Sequence, residues 1–329
     1  MPVLHHLDEL DTKIIKEFGS PSSPQWNVRA SYSRIARRLG VDEETVRKRF
    51  KRAKDLGSLP GWLMRINPRL IGYEAASVDL EVKDENEKAG VISQIKLLKG
   101  VITIADFQGR GMLVALYYEN DGSLEKAVEG IRSISGSPAP TVWKQAYPRP
   151  EIRMRQSDWK IIQAMADDAR RDLQDVAGRA GVSLRTVQRR LAAMTEGKAV
   201  YLVGTPNYGN IVGQVCNYLI FCPDEKKKRA IDARIPSEVK RIEHSDTSPR
   251  RYSMFIVSCE NPAEAEGISK WLGSLDGVES VRLGVMSGLI HVQDWLKGEV
   301  VARHDDLNPF GSVHRRARRN RRSSGSVHL

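Results

Sequence analysis

Apolar positions recur at helical spacing in two stretches of the chain. Leu7, Leu10, Ile14, Ile15 and Phe18 form one stripe, with Asp8 and Asp11 in a first turn where the helix dipole favours acids. A short helix over Ser33 to Leu39 turns Ile35, Ala36 and Leu39 inward. Gly40-Val41-Asp42 then supplies a tight turn and an N-cap, and a longer helix from Glu43 to Leu56 faces Val46 and Phe50 to the core. The second stretch repeats this order. Ser157 is the expected N-cap before Ile161, Ile162 and Met165. Val176, Ala177 and Ala180, the turn Gly181-Val182-Ser183, and Val187 with Leu191 follow. A small residue, a glycine turn and a buried valine are what two helices crossing closely through a short turn require, so each stretch reads as a helix-turn-helix.

After each third helix the period changes. Gly57 and Gly197 introduce short apolar segments, Leu59 to Ile66 and Ala199 to Val203, suited to a β-wing or to a strand linking to the next domain. Beyond them the first copy alternates as a strand over Ala75 to Val82, a helix over Lys88 to Leu98, a hairpin of Val101 to Phe107 and Met112 to Tyr118, a helix over Leu124 to Ile134 and a strand over Thr141 to Tyr147. The second copy gives Val215 to Phe221, Glu225 to Arg234, Val239 to His244, Arg251 to Cys259, Ala263 to Leu275 and Val278 to Val285. That order, βαββαβ, is the ferredoxin-like split.

The two copies are one duplicated unit of about 145 residues. Asp11-Thr12-Lys13-Ile14-Ile15 returns as Asp158-Trp159-Lys160-Ile161-Ile162, and Gly40-Val41 with Thr45-Val46 returns as Gly181-Val182 with Thr186-Val187. The fold class is therefore α+β: two winged helix-turn-helix domains, over residues 1–70 and 151–212, each followed by a ferredoxin-like domain, over 71–150 and 213–287. A C-terminal helix and a basic, disordered tail take 288–329.

Charge sharpens this reading only once it is located. The 329 residues carry a net charge of +11, but six of those charges are arginines between Arg315 and Arg322, in a tail that any acidic surface would attract. Ten basic and three acidic residues lie between Arg29 and Lys54, and seven and three between Arg170 and Lys198, so each helix-turn-helix is locally basic. Aromatics are only 6%, which disfavours a base-stacking surface, and no apolar run is long enough to cross a membrane. Cys216, Cys222 and Cys259 show no metal-type spacing and suit a reducing cytoplasm. The histidines are scattered, and Gln108-Gly109-Arg110-Gly111 joins two strands rather than a strand and a helix, so it is a turn and not a phosphate cradle. With no nucleophile–base or carboxylate pair, no catalytic residue, metal or cofactor is expected.

The run Gly40-Val41-Asp42-Glu43-Glu44-Thr45-Val46-Arg47-Lys48-Arg49-Phe50-Lys51-Arg52, with Gly57 and the opening Leu10-Asp11-Thr12-Lys13-Ile14-Ile15, resembles the recognition-helix signature of the Lrp/AsnC regulators. The resemblance covers residues 7–287 in two copies, whereas typical members carry one. It implies a transcriptional regulator that binds double-stranded DNA through two recognition helices in the major groove. It also implies ferredoxin-like domains that assemble a homodimer or an intramolecular pseudo-dimer, and an amino acid or other small effector. The family's glycine/aspartate effector pattern is incomplete: Gly109 and Gly111 stand in the first copy, and Ser245 to Arg251 replaces them in the second.

On that implication the residues expected to contact DNA are Glu44, Thr45, Arg47, Lys48 and Lys51 on the first recognition helix, and Arg185, Thr186, Gln188 and Arg189 on the second. Arg34, Arg37 and Arg38 on the preceding helix suit the phosphate backbone. Arginine suits guanine and glutamine suits adenine. Arg49 and Arg190 sit beside core positions and are expected to pair internally. The alternative is an enzyme resembling the siroheme decarboxylases, which are built from similar units and would need pocket His and Arg for tetrapyrrole carboxylates.

Overall fold

The computed structural model describes residues 4–19, 26, 30–247 and 251–306, so the basic tail lies outside the described residues. The first unit runs β1 (His5–His6), α1 (Glu9–Gly19), α2 (Tyr32–Leu39), α3 (Glu43–Asp55), β2 (Trp62–Ile66), β3 (Glu74–Glu81), α4 (Lys88–Ile95), β4 (Val101–Phe107), β5 (Gly111–Tyr118), α5 (Asp121–Ser135) and β6 (Thr141–Gln145). The second runs α6 (Gln156–Met165), α7 (Leu173–Ala180), α8 (Leu184–Glu196), β7 (Val200–Gly204), β8 (Ile211–Val212), β9 (Gln214–Phe221), α9 (Glu225–Glu238), β10 (Ile242–Asp246), β11 (Tyr252–Cys259), α10 (Pro262–Gly273), β12 (Ser280–His291) and α11 (Asp294–Asp306).

Local chemistry explains the helical trios. Ser31 caps α2, Asp42 caps α3, Asp172 caps α7 and Ser183 caps α8, each side chain accepting from a backbone N–H of the first turn. Gly40 and Gly181, at φ of 69° and 64°, make the left-handed corner between the second and third helices of each trio. The first helices are capped by aspartates. Asp8 accepts from the Asp11 N–H at 2.8 Å, and Asp158 accepts from the Arg155 N–H at 2.7 Å. This corrects the expectation for Ser157, which lies inside α6, because the helix starts one residue earlier, at Gln156.

The two trios share one apolar core. Ile14, Ile35 and Val46 of the first belong to the same buried cluster as Trp159, Ile162, Val176 and Val187 of the second. The link is a two-stranded antiparallel ribbon in which β2 pairs with β7 from Trp62↔Gly204 to Ile66↔Val200. The strand after each third helix thus does not fold back as a wing on its own unit; it pairs with its counterpart in the other. The Ala166 carbonyl accepts from Met64 N–H, and the Trp62 carbonyl from Ala169 N–H, so the loop after α6 also docks on the first unit's strand.

The ferredoxin-like sheets have orders β6-β3-β5-β4 and β10-β11-β9-β12, joined as β12-β4. Each packs its helices on one face: Ala76, Val78, Leu80, Ile95, Val114 and Ile131 in the first, Cys216, Tyr218, Ile231, Ile235 and Phe255 in the second. The opposite faces meet each other. Trp143 of β6 packs with Leu219 of β9 and Met254 of β11, and Ala105 and Phe107 of β4 pack with Val215, Ile256 and Met286. Strand β12 is longer than the alternation predicts. Ser280 to Val285 pair with β9, and after a bulge between Met286 and Gly288 the strand crosses to pair with β4 up to His291↔Thr103. Gly284 makes the crossing feasible, because a Cβ there would meet the Phe107 ring at 2.8–3.0 Å.

Candidate nucleic-acid interface

Helix α3 presents Glu44, Arg47, Lys48 and Lys51 to solvent, and α8 presents Arg185, Gln188 and Arg189, opposite buried Val46 and Val187. Arg34, Arg37 and Arg38 are exposed on α2. Thr45 and Thr186 are half-buried and face their caps: the Thr45 hydroxyl donates to Asp42 Oδ2 at 2.7 Å, and Thr186 Oγ1 shares a 2.9 Å hydrogen bond with Ser183 Oγ. Hydrogen bonds from Thr45 hold the Asp42 carboxyl below the usual carboxylate range.

The two reading faces differ electrostatically. On α3 the cations are tied to acids of the same helix: Arg47 to Glu43 at 2.6 Å, Lys51 to Asp55 at 2.5 Å, and Lys48 to Glu44 at 3.8 Å. Arg47 also lies over the Tyr32 ring, 4.9 Å from its centroid. On α8, Arg185 and Arg189 have no carboxylate partner among the described residues, so their donors are available. Arg38 pairs with Glu17 at 3.0 Å, while Arg34 and Arg37 have no carboxylate partner among the described residues.

Arg49 and Arg190 pair internally, as their positions predict. Arg190 donates from Nε and Nη2 to the two oxygens of Asp158, both at 2.6 Å, in a fork with Asp158 fully buried. Hydrogen bonding to Asp158 raises Arg190 above its ordinary pKa. Arg49 holds Asp8 at 2.5 Å and Asp11 at 2.9 Å, and is the more exposed of the two arginines.

Below the shared ribbon, Arg65 joins the helical trios to the sheets. It is almost wholly buried. Its guanidinium donates to the carbonyls of Ile102 at 2.9 Å and Val292 at 3.2 Å, and its Nη2 lies 3.3 Å from His291 Nδ1. An arginine only donates, so His291 Nδ1 must be the bare acceptor nitrogen and Nε2 carries the proton given to the Gly204 carbonyl at 3.0 Å. Burial, then the Arg65 charge, pushes His291 down to about 4. Its neutral form therefore stabilises the fold above pH 6.5, and that contribution is lost as pH falls towards 4. The stability advantage of wild type over His291→Gln is expected to shrink, by up to about 3 kcal/mol, between pH 7 and pH 4 in urea unfolding. A pH-independent difference would contradict this assignment.

Between the two sheets lies a polar cavity of about 140 Å³, lined by Asp79, Glu81, Arg110, Asn217 and Arg282 with Phe107. Arg282 donates to Asp79 at 2.6 Å, and Arg110 to Glu81 at 3.1 Å. Burial outweighs the attraction of Arg282 and pushes Asp79 up to about 7. Asn217 Oδ1 is buried without a hydrogen-bond partner among the described residues. The sequence reading missed this group, although Asp79, Asn217 and Arg282 are polar residues at alternating strand positions, because only the packing of one unit on the other brings them together. Cys216, Cys222 and Cys259 are free and buried, and among the described residues no cluster of three potential ligands could hold a metal. Among them, too, no helix is long and apolar enough to cross a membrane.

A pair of helix-turn-helix domains whose third helices stand exposed above a shared ferredoxin-like platform defines the class of the protein. The AsnC-type helix-turn-helix signature matches twice, over residues 7–54 and 156–195. An HTH-type transcriptional regulator of Pyrococcus furiosus is 35% identical over 152 residues, which span 44% of this chain and 98% of that protein. The HTH-type transcriptional regulator LrpA of Pyrococcus horikoshii is 30% identical over 116 residues, 35% of this chain and 78% of the relative. The chain belongs to the Lrp/AsnC family of transcriptional regulators and is a tandem duplication of its unit. In fold it is similar over 90% of its length to the siroheme decarboxylase NirDL, of which 99% is covered, with a TM-score of 0.51 and 14% identity. That likeness concerns the two-unit architecture alone.

Proposed function

We propose that the chain is a sequence-specific regulator that binds double-stranded DNA as an intramolecular pseudo-dimer, with α3 and α8 entering the major groove at two unlike half-sites. The observation that carries this reading is the shared β2–β7 ribbon, which holds two exposed, basic recognition helices in one body within a single chain. A homodimer of single units reads a palindrome, whereas two different helices joined this way read an asymmetric site. Glu44, Arg47, Lys48 and Lys51 would serve one half-site, and Arg185, Gln188 and Arg189 the other. Arg34, Arg37 and Arg38 would sit on the backbone. Such a regulator works in the cytoplasm. Retention on duplex DNA at low salt, lost steeply as salt rises, is the expected result; a chain that passes through without retention would remove the proposal.

The regulator is favoured over the tetrapyrrole enzyme by the cavity between the sheets. That cavity pairs two acids with two arginines and no histidine lines it among the described residues, whereas a tetrapyrrole enzyme would need pocket histidine beside arginine. Its paired acids and arginines would accept a small zwitterionic effector, which a thermal-shift screen of free amino acids tests, a flat response counting against it.

A further inference from the structure

The segment joining the units, from the end of β6 to the start of α6, carries three arginines that neither the recognition helices nor the apolar core uses. Pro148 and Pro150 hold its first part extended. Further on, the segment alternates: Ile152 and Met154 pack against the core shared by the trios, while Arg153 and Arg155 are exposed, as is Arg149. Its backbone is pinned from several sides. Asn67 donates to the Pro148 carbonyl at 2.9 Å, Glu151 N–H to the Gly197 carbonyl at 2.9 Å, Arg190 Nη2 to the Arg153 carbonyl at 3.4 Å, and Arg155 N–H to Asp158. The segment thus lies along the flank of α8, from Arg190 to the helix's end. Arg149, Arg153 and Arg155 make no ion pair among the described residues.

We propose that Arg149, Arg153 and Arg155 form a fixed basic arm that contacts DNA phosphates beside the half-site read by α8. The inference rests on the DNA-binding reading above. Among the described residues, three guanidinium groups without carboxylate partners stand on an ordered, extended backbone along the C-terminal half of a recognition helix. The exposed Arg185 and Arg189 of that helix are likewise without carboxylate partners among the described residues, so both sets add positive charge to one unit. Ordering is already complete, so binding immobilises only the side chains. The arm has no counterpart on the other unit. At the 147-residue offset of the repeat, Arg149, Arg153 and Arg155 correspond to Pro2, His6 and Asp8. DNA contact would therefore extend further on one side of the complex than on the other.

The test is the full chain with Arg149→Gln, Arg153→Gln and Arg155→Gln together, compared with wild type on one duplex at several salt concentrations. The slope of log affinity against log salt is expected to become shallower by about 0.9 for each lost phosphate contact, so by about 2–3 for the triple variant. Hydroxyl-radical protection is expected to shorten at one end only, with an unchanged melting temperature. A wild-type chain that binds duplex DNA with a slope and footprint identical to the variant's would overturn the arm alone. A wild-type chain with no salt-dependent duplex binding would overturn the underlying reading as well. Protection shortened equally at both ends would also overturn the arm, since it sits on one unit.

Discussion

An Asp158→Ala chain is expected to be about 3–5 kcal/mol less stable than wild type in urea unfolding, because it leaves the Arg190 guanidinium in the core with its fork partner gone. Asp158 is fully buried and Arg190 nearly so, and little water reaches the site to replace the lost bonds. The repeat supplies an internal control. Asp11 is the matching residue of the first unit, and Arg49 the matching arginine. Arg49, however, keeps Asp8 at 2.5 Å and is partly exposed. Asp11→Ala is therefore expected to cost less, about 1.5–3 kcal/mol, the range for hydrogen bonds to charged groups. Equal losses at the two sites would show that burial does not govern the pair.

Removing the free arginines of α8 together, Arg185→Ala with Arg189→Ala, is expected to weaken binding to the preferred duplex by about 2–6 kcal/mol at fixed salt, from the roughly 1–3 kcal/mol that each good base contact contributes. Both side chains are exposed, so the unfolding midpoint is expected to stay within about 0.5 kcal/mol of wild type. Arg47→Ala on α3 is expected to matter less than either alone. Arg47 must give up Glu43 at 2.6 Å, and its place over Tyr32, before it reaches a base, so the exchange leaves a smaller net gain. Competition with random duplex separates lost specificity from lost general affinity. If Arg47→Ala equals or exceeds the double variant, the electrostatic contrast between the two faces has no functional meaning.

That contrast also marks the limit of what the chain's pattern discloses. The duplicated unit, the helical trios and the βαββαβ order are legible because apolar spacing and the glycine turns are local signals. The basic surplus between Arg29 and Lys54 is legible too, but as a sum. Its self-neutralisation on α3 depends on which rotamers meet, and the structure shifts the freer reading face to the less basic helix. Arg49 and Arg190 were readable as internal partners because they lie beside core positions. What escaped is contact between the units. Strand β12 reads as ending at Val285, over Val278 to Val285, because its last part alternates no differently from any loop-bound segment; only the presence of the β4 edge makes Met286 to His291 a strand. Arg65 lies within the apolar run Leu59 to Ile66, and nothing local foretells its burial: Ile102, Val292 and His291 arrive from far along the chain. Ser157 looked like a cap because serine is a good one, but Asp158, one residue on, holds both the helix N-terminus and Arg190.

The central claim is that one chain reads one asymmetric site with two unlike helices held in a fixed relation. Its most direct test is a footprint on a duplex selected from a random pool, made with wild type, Arg47→Ala and Arg189→Ala, with the number of chains per duplex counted. The account predicts a non-palindromic site whose two halves are filled by a single chain, protection lost at one end in the first variant and at the other end in the second. A palindromic site occupied by two chains, with each variant weakening both halves equally, would contradict it.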